Sequence, residues 1–434
     1  MFKRFPLVLK YLHEVSFLWI GALLGALLGF LTQIILARNF GPYEYGIFAS
    51  AFATLTVISS LSTFGVHQFL LKVFGEEGWK GTAWLYQSFR FTLVNSFIVC
   101  FLISLWALLG PHEKNFSYLL LIMIPLIFAQ AVFNLTISRF QLEQRYKLLA
   151  LWTPLPHILR FLLILFLLLS AISFELNEVG ILFSFSSIIL VAIGCFYLRS
   201  FFLGKIELIG YGLKPESNIS EYQKESSIEF KDILKNTWPF GLSAIFYLIF
   251  FQTSVIFLDY LDSPESAGIF NIAFVVMMAI YILPGVIYQQ FLMPKIHRWI
   301  NLDKDKFQVF HHSGNKYMLI LGIMIGCLLF LLSPSLISYF FGEAYKEAIN
   351  ILLILSFAVP FKFLSTSMGA PLHTENGMKK NVIALGLAAI LNISLNIILI
   401  PLFSIYGAAF STLICEIFLL LLYIRFVDKI IFNK

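Results

Sequence analysis

Twelve apolar runs dominate the sequence, and each is long enough to cross a lipid bilayer as one helix. A hydrocarbon layer of ~30 Å requires about 20 apolar residues in helical conformation. The runs cover residues 15–37, 46–71, 84–109, 117–138, 148–170, 179–199, 237–258, 267–293, 317–336, 348–370, 381–401 and 406–427. This pattern predicts an all-α integral membrane protein with twelve transmembrane helices.

One long polar segment, residues 200–236, interrupts the apolar runs and leaves six of them on either side. It contains "EYQKESSIEFKDILKN", a pattern typical of an amphipathic helix at a membrane surface. We therefore expect an N-terminal six-helix bundle over residues 1–200 and a C-terminal six-helix bundle over residues 237–434. A cytoplasmic linker with an amphipathic helix is predicted to join them over residues 201–236.

The composition excludes several classes of protein. With 59% hydrophobic and 12% charged residues, the chain has too little polar surface for a soluble protein. Its four cysteines lie far apart inside apolar runs, a spacing that predicts neither disulfides nor a metal site. The chain has no GxxxxGK[ST] nucleotide-binding loop, so we expect no cofactor and no ATP-driven step within it.

The positions of lysine and arginine predict the orientation in the membrane. If the N-terminus is cytoplasmic, the segments predicted inside carry 24 of the 30 Lys and Arg residues. The segments predicted outside carry only Arg38, Lys114 and Lys346. Because cytoplasmic loops are enriched in Lys and Arg, both termini are predicted to be cytoplasmic. Membrane orientation thus explains the net charge of +6, and nucleic acid is not an expected partner.

A repeat relates the two halves of the chain. "PYEYGIFASAF" begins at Pro42 and "PESAGIFNIAF" at Pro264, and their shared residues have a constant offset of 222 positions. This alignment continues without a gap to Leu70 and Leu292, with 11 identities in 29 positions. Each repeat contains six predicted helices, so both copies have the same orientation in the membrane. We expect two parallel repeats around a central cleft, an arrangement that transporters use.

Three segments carry a family resemblance. The first outer corner reads "ILARNFGPYEYGIFASAF", the seventh helix begins with "NTWPFGLSAI", and helices eleven and twelve contain "GMKKNVIALGLAAILNISLNIILIPLFSIYGAAFSTL". They resemble the polysaccharide-transport family of the multidrug/oligosaccharidyl-lipid/polysaccharide flippase superfamily.

The resemblance implies a fold like that of multidrug and toxin extrusion (MATE) transporters, and no enzymatic activity. It implies that an undecaprenyl-diphosphate-linked oligosaccharide, such as an O-antigen repeat unit, moves from the cytoplasmic to the outer leaflet by alternating access. It further implies a bacterial cytoplasmic (inner) membrane location, with membrane lipids and polysaccharide polymerases as partners.

Such a cargo needs cationic side chains inside the spans, because a bare diphosphate is very costly to remove from water. Arg160 lies near the middle of the fifth predicted helix, and His157 is on the same face one turn earlier. We interpret Arg160 as a diphosphate ligand, with a structural ion pair as the alternative. Arg90, near the cytoplasmic end of the third helix, either contacts the cargo or extends to the lipid head groups.

Four further polar residues lie in the predicted spans. His67 and Gln68 lie at the end of a row of polar side chains on the second predicted helix. This row forms either a cleft wall for sugars or polar contacts between helices. Lys362, in the tenth helix, is interpreted as a cargo ligand or as the partner of Glu416. Glu416 is the one acid deep within a span. It either carries a coupling proton or ion, or only neutralises Lys362 or Arg160.

Two other functions remain open. A cation-coupled multidrug antiporter of the same superfamily would share the fold but needs deep acidic residues, whereas here Arg90, Arg160 and Lys362 outnumber Glu416. A membrane-embedded polysaccharide polymerase or glycosyltransferase would need catalytic residues on a large loop. The outer loops are short, and the long inner segment has no paired carboxylates of that kind. The sequence therefore favours a flippase.

Overall fold

The computed structural model describes residues 5–170, 174–208, 228–292, 296, 304–373 and 377–431. Every regular element in these ranges is helical. The helices are α1 (Phe5–Thr63), α2 (Val66–Glu77), α3 (Leu85–Leu109), α4 (Lys114–Ile122), α5 (Pro125–Leu142), α6 (Tyr146–Trp152), α7 (Leu155–Leu169), α8 (Leu176–Phe202), α9 (Phe230–Leu261), α10 (Pro264–Gly285), α11 (Lys304–Phe340), α12 (Ala348–Ser356), α13 (Ala358–Gly369) and α14 (Met378–Ile431).

Two very long helices each contain a break. In α1 the break is at Gly41, whose φ of 72° and ψ of 175° are non-helical, and the helix restarts at Pro42. Glycine tolerates a positive φ, and proline favours the first turn of a helix. In α14 the break is at Ser404, with φ 51° and ψ −131°. Both breaks lie between apolar runs that the sequence predicts as separate spans.

Seven of the described helical segments are long and apolar enough to cross a membrane. Two bent pairs raise the number to nine: α4 with α5, bent by 40°, and α12 with the segment from Ala358 to His373, bent by 44°. The all-helical membrane architecture is therefore confirmed, whereas the count of twelve spans stays a prediction. The predicted linker helix lies largely outside the described residues, and its last residues, from Phe230, form the first turns of α9.

The chain forms two compact units. Unit 1 contains residues 1–32 and 55–245, and unit 2 contains residues 33–54 and 246–434. The middle of α1 therefore belongs to a different unit from its two ends. The predicted division into bundles at residues 200 and 237 stays a proposal.

Unit 1 is held together by close helix contacts and a large aromatic core. A Cβ on Gly21 would meet the carbonyl oxygen of Ala150, and one on Gly25 would lie 3.2 Å from Cα of Pro154. The glycines of α1 thus allow close approach to α6 and α7, as small residues do in membrane helix packing. At another place in the unit, Phe74, Phe91 and other buried side chains of α2, α3, α5 and α8 form one apolar cluster.

In unit 2, the two repeated corners pack against each other in a reciprocal way. A Cβ on Gly46 would meet the carbonyl oxygen of Pro264, and a Cβ on Gly268 would meet that of Pro42. Because Gly46 corresponds to Gly268 and Pro42 to Pro264, the contact follows the local two-fold relation expected of a symmetric interface. The repeat in the sequence therefore marks a packing surface where only glycine permits such close backbone approach.

Hydrogen bonds fix this corner. The Tyr45 hydroxyl donates to Oε1 of Gln33 at 2.8 Å and accepts from Nδ2 of Asn271 at 2.8 Å. The Ser50 hydroxyl donates to Asp259 at 2.9 Å. Buried polar groups are costly unless they are hydrogen-bonded, so these bonds specify one arrangement of the corner.

Candidate functional site

Arg160 lies in the second turn of α7, a helix composed mainly of leucine and phenylalanine. Its side chain is partly buried, and the guanidinium carbon is 5.1 Å from the centroid of the Phe183 ring on α8. A guanidinium over an aromatic face is attracted by the ring quadrupole. The Phe183 ring therefore stabilises the positive charge of Arg160 within an apolar helix. The side chain of Arg160 stays partly exposed.

His157 lies one turn before Arg160 and is also partly buried. Its ring contacts α1, where a Cβ on Gly29 would lie 2.9 Å from Nδ1 of the ring. A Cβ on Gly25 would lie 3.3 Å from Cδ2. His157 and Arg160 also interact electrostatically. The structure thus confirms that they lie together, and it assigns to Gly25 and Gly29 the role of making room for the imidazole.

The other predicted residues of unit 1 lie on α2 and α3. Arg90 is exposed in the second turn of α3. His67 and Gln68 are partly buried on α2, and the His67 carbonyl accepts a hydrogen bond of 2.9 Å from Ser138 of α5. Within the described residues, neither Nδ1 of His67 nor Oε1 of Gln68 has a hydrogen-bond partner, although both atoms are buried. They therefore retain unused hydrogen-bonding capacity.

In unit 2, Lys362 of α13 and Glu416 of α14 form an ion pair. Nζ of Lys362 is 3.5 Å from Oε1 of Glu416, and the side chains are 10% and 0% exposed. The pairing predicted from the sequence as one alternative is therefore confirmed. Contact of Lys362 with cargo, and transport of a coupling ion by Glu416, stay predictions.

Three aromatic rings surround the Lys362 ammonium. Nζ lies 4.3 Å from the ring centroid of Phe251, 5.4 Å from that of Tyr281 and 5.6 Å from that of Tyr247. Tyr247 and Phe251 are one turn apart on α9, and Tyr281 is on α10. These rings cannot be identified from the sequence, because aromatic residues in an apolar helix carry no signal that distinguishes a cation site from ordinary packing.

A buried polar network joins α9 and α14 in the same unit. Nδ2 of Asn396 is 3.0 Å from Oδ1 of Asn392 and 3.2 Å from Oγ of Ser254. Ser254 also lies 3.5 Å from the Thr412 hydroxyl. The contact between Asn396 and Ser254 joins α14 to α9 by a hydrogen bond between helices. Among the residues described, no group of three His, Cys, Asp or Glu side chains is placed to hold a metal ion.

Comparison with known sequences places the chain among proteins of polysaccharide synthesis. A family described as "Polysaccharide biosynthesis protein" matches residues 11–299. The "Capsular polysaccharide biosynthesis protein CapF" of Staphylococcus aureus is 27% identical over 299 residues, which cover 67% of this chain and 69% of that protein.

Comparison with solved structures supports the fold. A structure described as "Lipid II flippase MurJ, inward closed conformation" has a TM-score of 0.72 at 17% identity, covering 95% of this chain and 87% of that one. An inward-facing multidrug resistance MATE family transporter of the MOP superfamily has a TM-score of 0.71 at 14% identity, covering 94% and 95%. At these identities the likeness is one of fold, and it confirms the predicted MATE-like architecture.

Proposed function

Because the chain belongs to the polysaccharide biosynthesis protein family, we propose that it moves a lipid-linked oligosaccharide across the bacterial inner membrane. The proposed cargo is an undecaprenyl-diphosphate-linked repeat unit that passes from the cytoplasmic to the outer leaflet. The capsular polysaccharide relative and the fold shared with a lipid II flippase support this cargo class. The proposed mechanism is alternating access by two six-helix bundles, with both termini in the cytoplasm.

Among individual residues, the position of Arg160 within an apolar helix gives the strongest support for this proposal. Placing an arginine at mid-membrane costs about 2.5–3.5 kcal/mol on insertion scales, so such a residue usually has a function. Its planar guanidinium matches the oxygens of a phosphate in a bidentate way. Since the side chain is partly exposed over Phe183, we assign it to the diphosphate of the cargo.

The other polar residues of unit 1 have supporting roles in this proposal. His157 lies beside Arg160 and adds a hydrogen-bonding group. His67 and Gln68 offer buried polar atoms that suit sugar hydroxyls. Exposed Arg90 attracts the anionic head group as it approaches.

The charges of Lys362 and Glu416 neutralise each other, which makes Lys362 a weaker candidate for the diphosphate than Arg160. The same pairing argues against an antiporter that binds organic cations, because the deep acid already has a cation beside it. We assign no catalytic step to the chain.

The membrane potential is the proposed driving force. Moving one charge through 100 mV is worth ~2.3 kcal/mol, so a dianionic head group leaving a negative interior gains roughly twice that. No free coupling ion is needed for a gain of this size.

Deletion of the gene in its own host tests the proposed function. The lipid-linked intermediate is extracted, its glycan is analysed, and its sidedness is measured with a membrane-impermeant reagent that oxidises sugars. We expect a complete repeat unit to accumulate on the cytoplasmic face, with export restored by the wild-type chain. Normal appearance of the intermediate on the outer face would contradict the proposal. Accumulation of an incomplete glycan would indicate an enzyme instead.

A further inference from the structure

The ion pair in unit 2 is unusual because its carboxylate is only partly satisfied. Glu416 is fully buried, and its contact with Nζ of Lys362 is 3.5 Å. In the part of the chain that the structure describes, no group other than the Lys362 ammonium is within hydrogen-bonding distance of either carboxylate oxygen. An ionised carboxylate offers about four acceptor positions. Glu416 therefore has more capacity for cations than Lys362 uses.

The surroundings of the ammonium are those of a general cation site. Tyr247, Phe251 and Tyr281 present three rings within 5.6 Å of Nζ. Aromatic rings that enclose a positive charge recognise ammonium ligands in general, without selecting lysine. The hydroxyl of Tyr281 is buried and has no hydrogen-bond partner among the described residues, so it adds another polar atom to the enclosure.

The three rings also contact one another. The rings of Tyr247 and Phe251 are 4.7 Å apart between centroids, and those of Phe251 and Tyr281 are 6.3 Å apart. Such ring pairs stabilise each other. Helices α9 and α10 therefore supply the three rings, α14 supplies the carboxylate, and α13 supplies the cation.

We infer that Glu416 and the three rings form a binding site for a monovalent cation, occupied by the ammonium of Lys362 as a tethered ligand. Lysine attaches the cation to the chain through a flexible four-carbon stem, so it cannot diffuse away. A free cation of the ammonium class would enter this site only when the lysine is shortened. While Lys362 is in place, the unit needs no free ion at this position.

The test removes the tethered cation and supplies a free one. Lys362→Ala deletes three carbons and the amine, which propylammonium replaces atom for atom. Thermal unfolding of the purified protein is followed in detergent with propylammonium chloride, at ionic strength matched with sodium chloride. We expect propylammonium to raise the Tm of Lys362→Ala by about 2–5 °C. The wild type should shift by less than about one degree, because its site is already filled.

Three controls separate cation binding from cavity filling and from general salt effects. Propanol has the size of propylammonium without its charge and should not stabilise Lys362→Ala. The double variant Lys362→Ala/Glu416→Gln should not respond to propylammonium. Lys380→Ala is the matched lysine control, since Lys380 also lies over a ring, 5.5 Å from the centroid of Phe426 in the same unit, and it should not respond either.

A folded Lys362→Ala variant without a propylammonium shift, or with an equal shift from propanol, would overturn the inference. An equal shift in the double variant would overturn it as well. If Lys362→Ala cannot be purified in the absence of propylammonium, membranes that contain the variant are solubilised with and without this cation. Recovery only with the cation supports the site, whereas failure in both conditions, with recovery of the double variant, contradicts it.

Discussion

Arg160 in unit 1 and Lys362 in unit 2 are both cations within long apolar helices, yet their surroundings differ. Arg160 is partly exposed and lies over one ring, that of Phe183. Lys362 is 10% exposed, contacts a fully buried carboxylate and is enclosed by three rings. The difference teaches that a deep positive charge does not by itself indicate a cargo ligand. Partial exposure is compatible with the proposed anion-binding role of Arg160, whereas Lys362 already has Glu416 as its partner.

The largest expected effect comes from breaking the enclosed pair. Glu416→Gln keeps the shape of the side chain but leaves the Lys362 ammonium buried without its carboxylate. Removing one partner of a buried pair typically costs about 3–5 kcal/mol of unfolding free energy. Reversible denaturation in mixed micelles measures this loss. Lys362→Met/Glu416→Gln should recover most of it, and a single variant as stable as the wild type would show that this pair does not hold unit 2 together.

Arg160→Met should act on binding rather than on stability, which is the reverse pattern. Hydrogen bonds to charged groups contribute about 1.5–3 kcal/mol, so affinity for undecaprenyl diphosphate should fall on the order of 10- to 100-fold. Arg160→Lys should lose less, because it keeps the charge but not the bidentate geometry. Titration of the purified protein with the lipid measures the affinity. Unchanged affinity in Arg160→Met would remove this residue from the site.

Gly268→Ala separates packing from charge in unit 2. Its Cβ would meet the carbonyl oxygen of Pro42, and the backbone cannot move aside as a flexible side chain can. Overpacking of this kind costs about 1–3 kcal/mol. The matched control is Gly75→Ala, where no atom lies within 4 Å of the added Cβ and the helix should gain up to about 1 kcal/mol. Thermal unfolding compares the Gly268→Ala and Gly75→Ala variants. Equal stabilities would mean that the two backbone segments of the corner can move apart without loss of stability.

The smallest effect is expected from Gly29→Ala in unit 1. The added Cβ would lie 2.9 Å from Nδ1 of His157, and an imidazole can shift by a side-chain rotation. The unfolding free energy should change by less than about 1 kcal/mol. Affinity for undecaprenyl diphosphate should still fall about two- to fivefold, because His157 is one turn from Arg160. An unchanged affinity would place the imidazole outside the site.

Much of this fold follows from the sequence because its signals are local or periodic. Runs of about 20 apolar residues predict membrane helices, and the repeat that relates Gly46 to Gly268 predicts two similar halves, although their reciprocal contact is seen only in the structure. The spacing of Gly21, Gly25 and Gly29, four residues apart, is typical of a helix face that packs closely, as the structure shows for α1. The assignment of residues 33–54 to unit 2 does not follow, since it depends on contacts between segments over 200 residues apart.

The candidate site was less predictable, for a physical reason. Lys362 and Glu416 stand out because charges in apolar helices are rare, and their pairing was one of two alternatives. The sequence does not distinguish Tyr247, Phe251 and Tyr281 from the many other aromatic residues of the spans. Only the coordinates show that these rings enclose the ammonium.

The central claim is the movement of a lipid-linked glycan, and reconstitution tests it most directly. The purified protein is placed in proteoliposomes with labelled undecaprenyl-diphosphate oligosaccharide. The rate at which the glycan crosses to the opposite leaflet is measured with and without an imposed membrane potential. The account predicts protein-dependent translocation that is faster when the potential drives the anion outward. A rate equal to that of protein-free liposomes, under either condition, would contradict it.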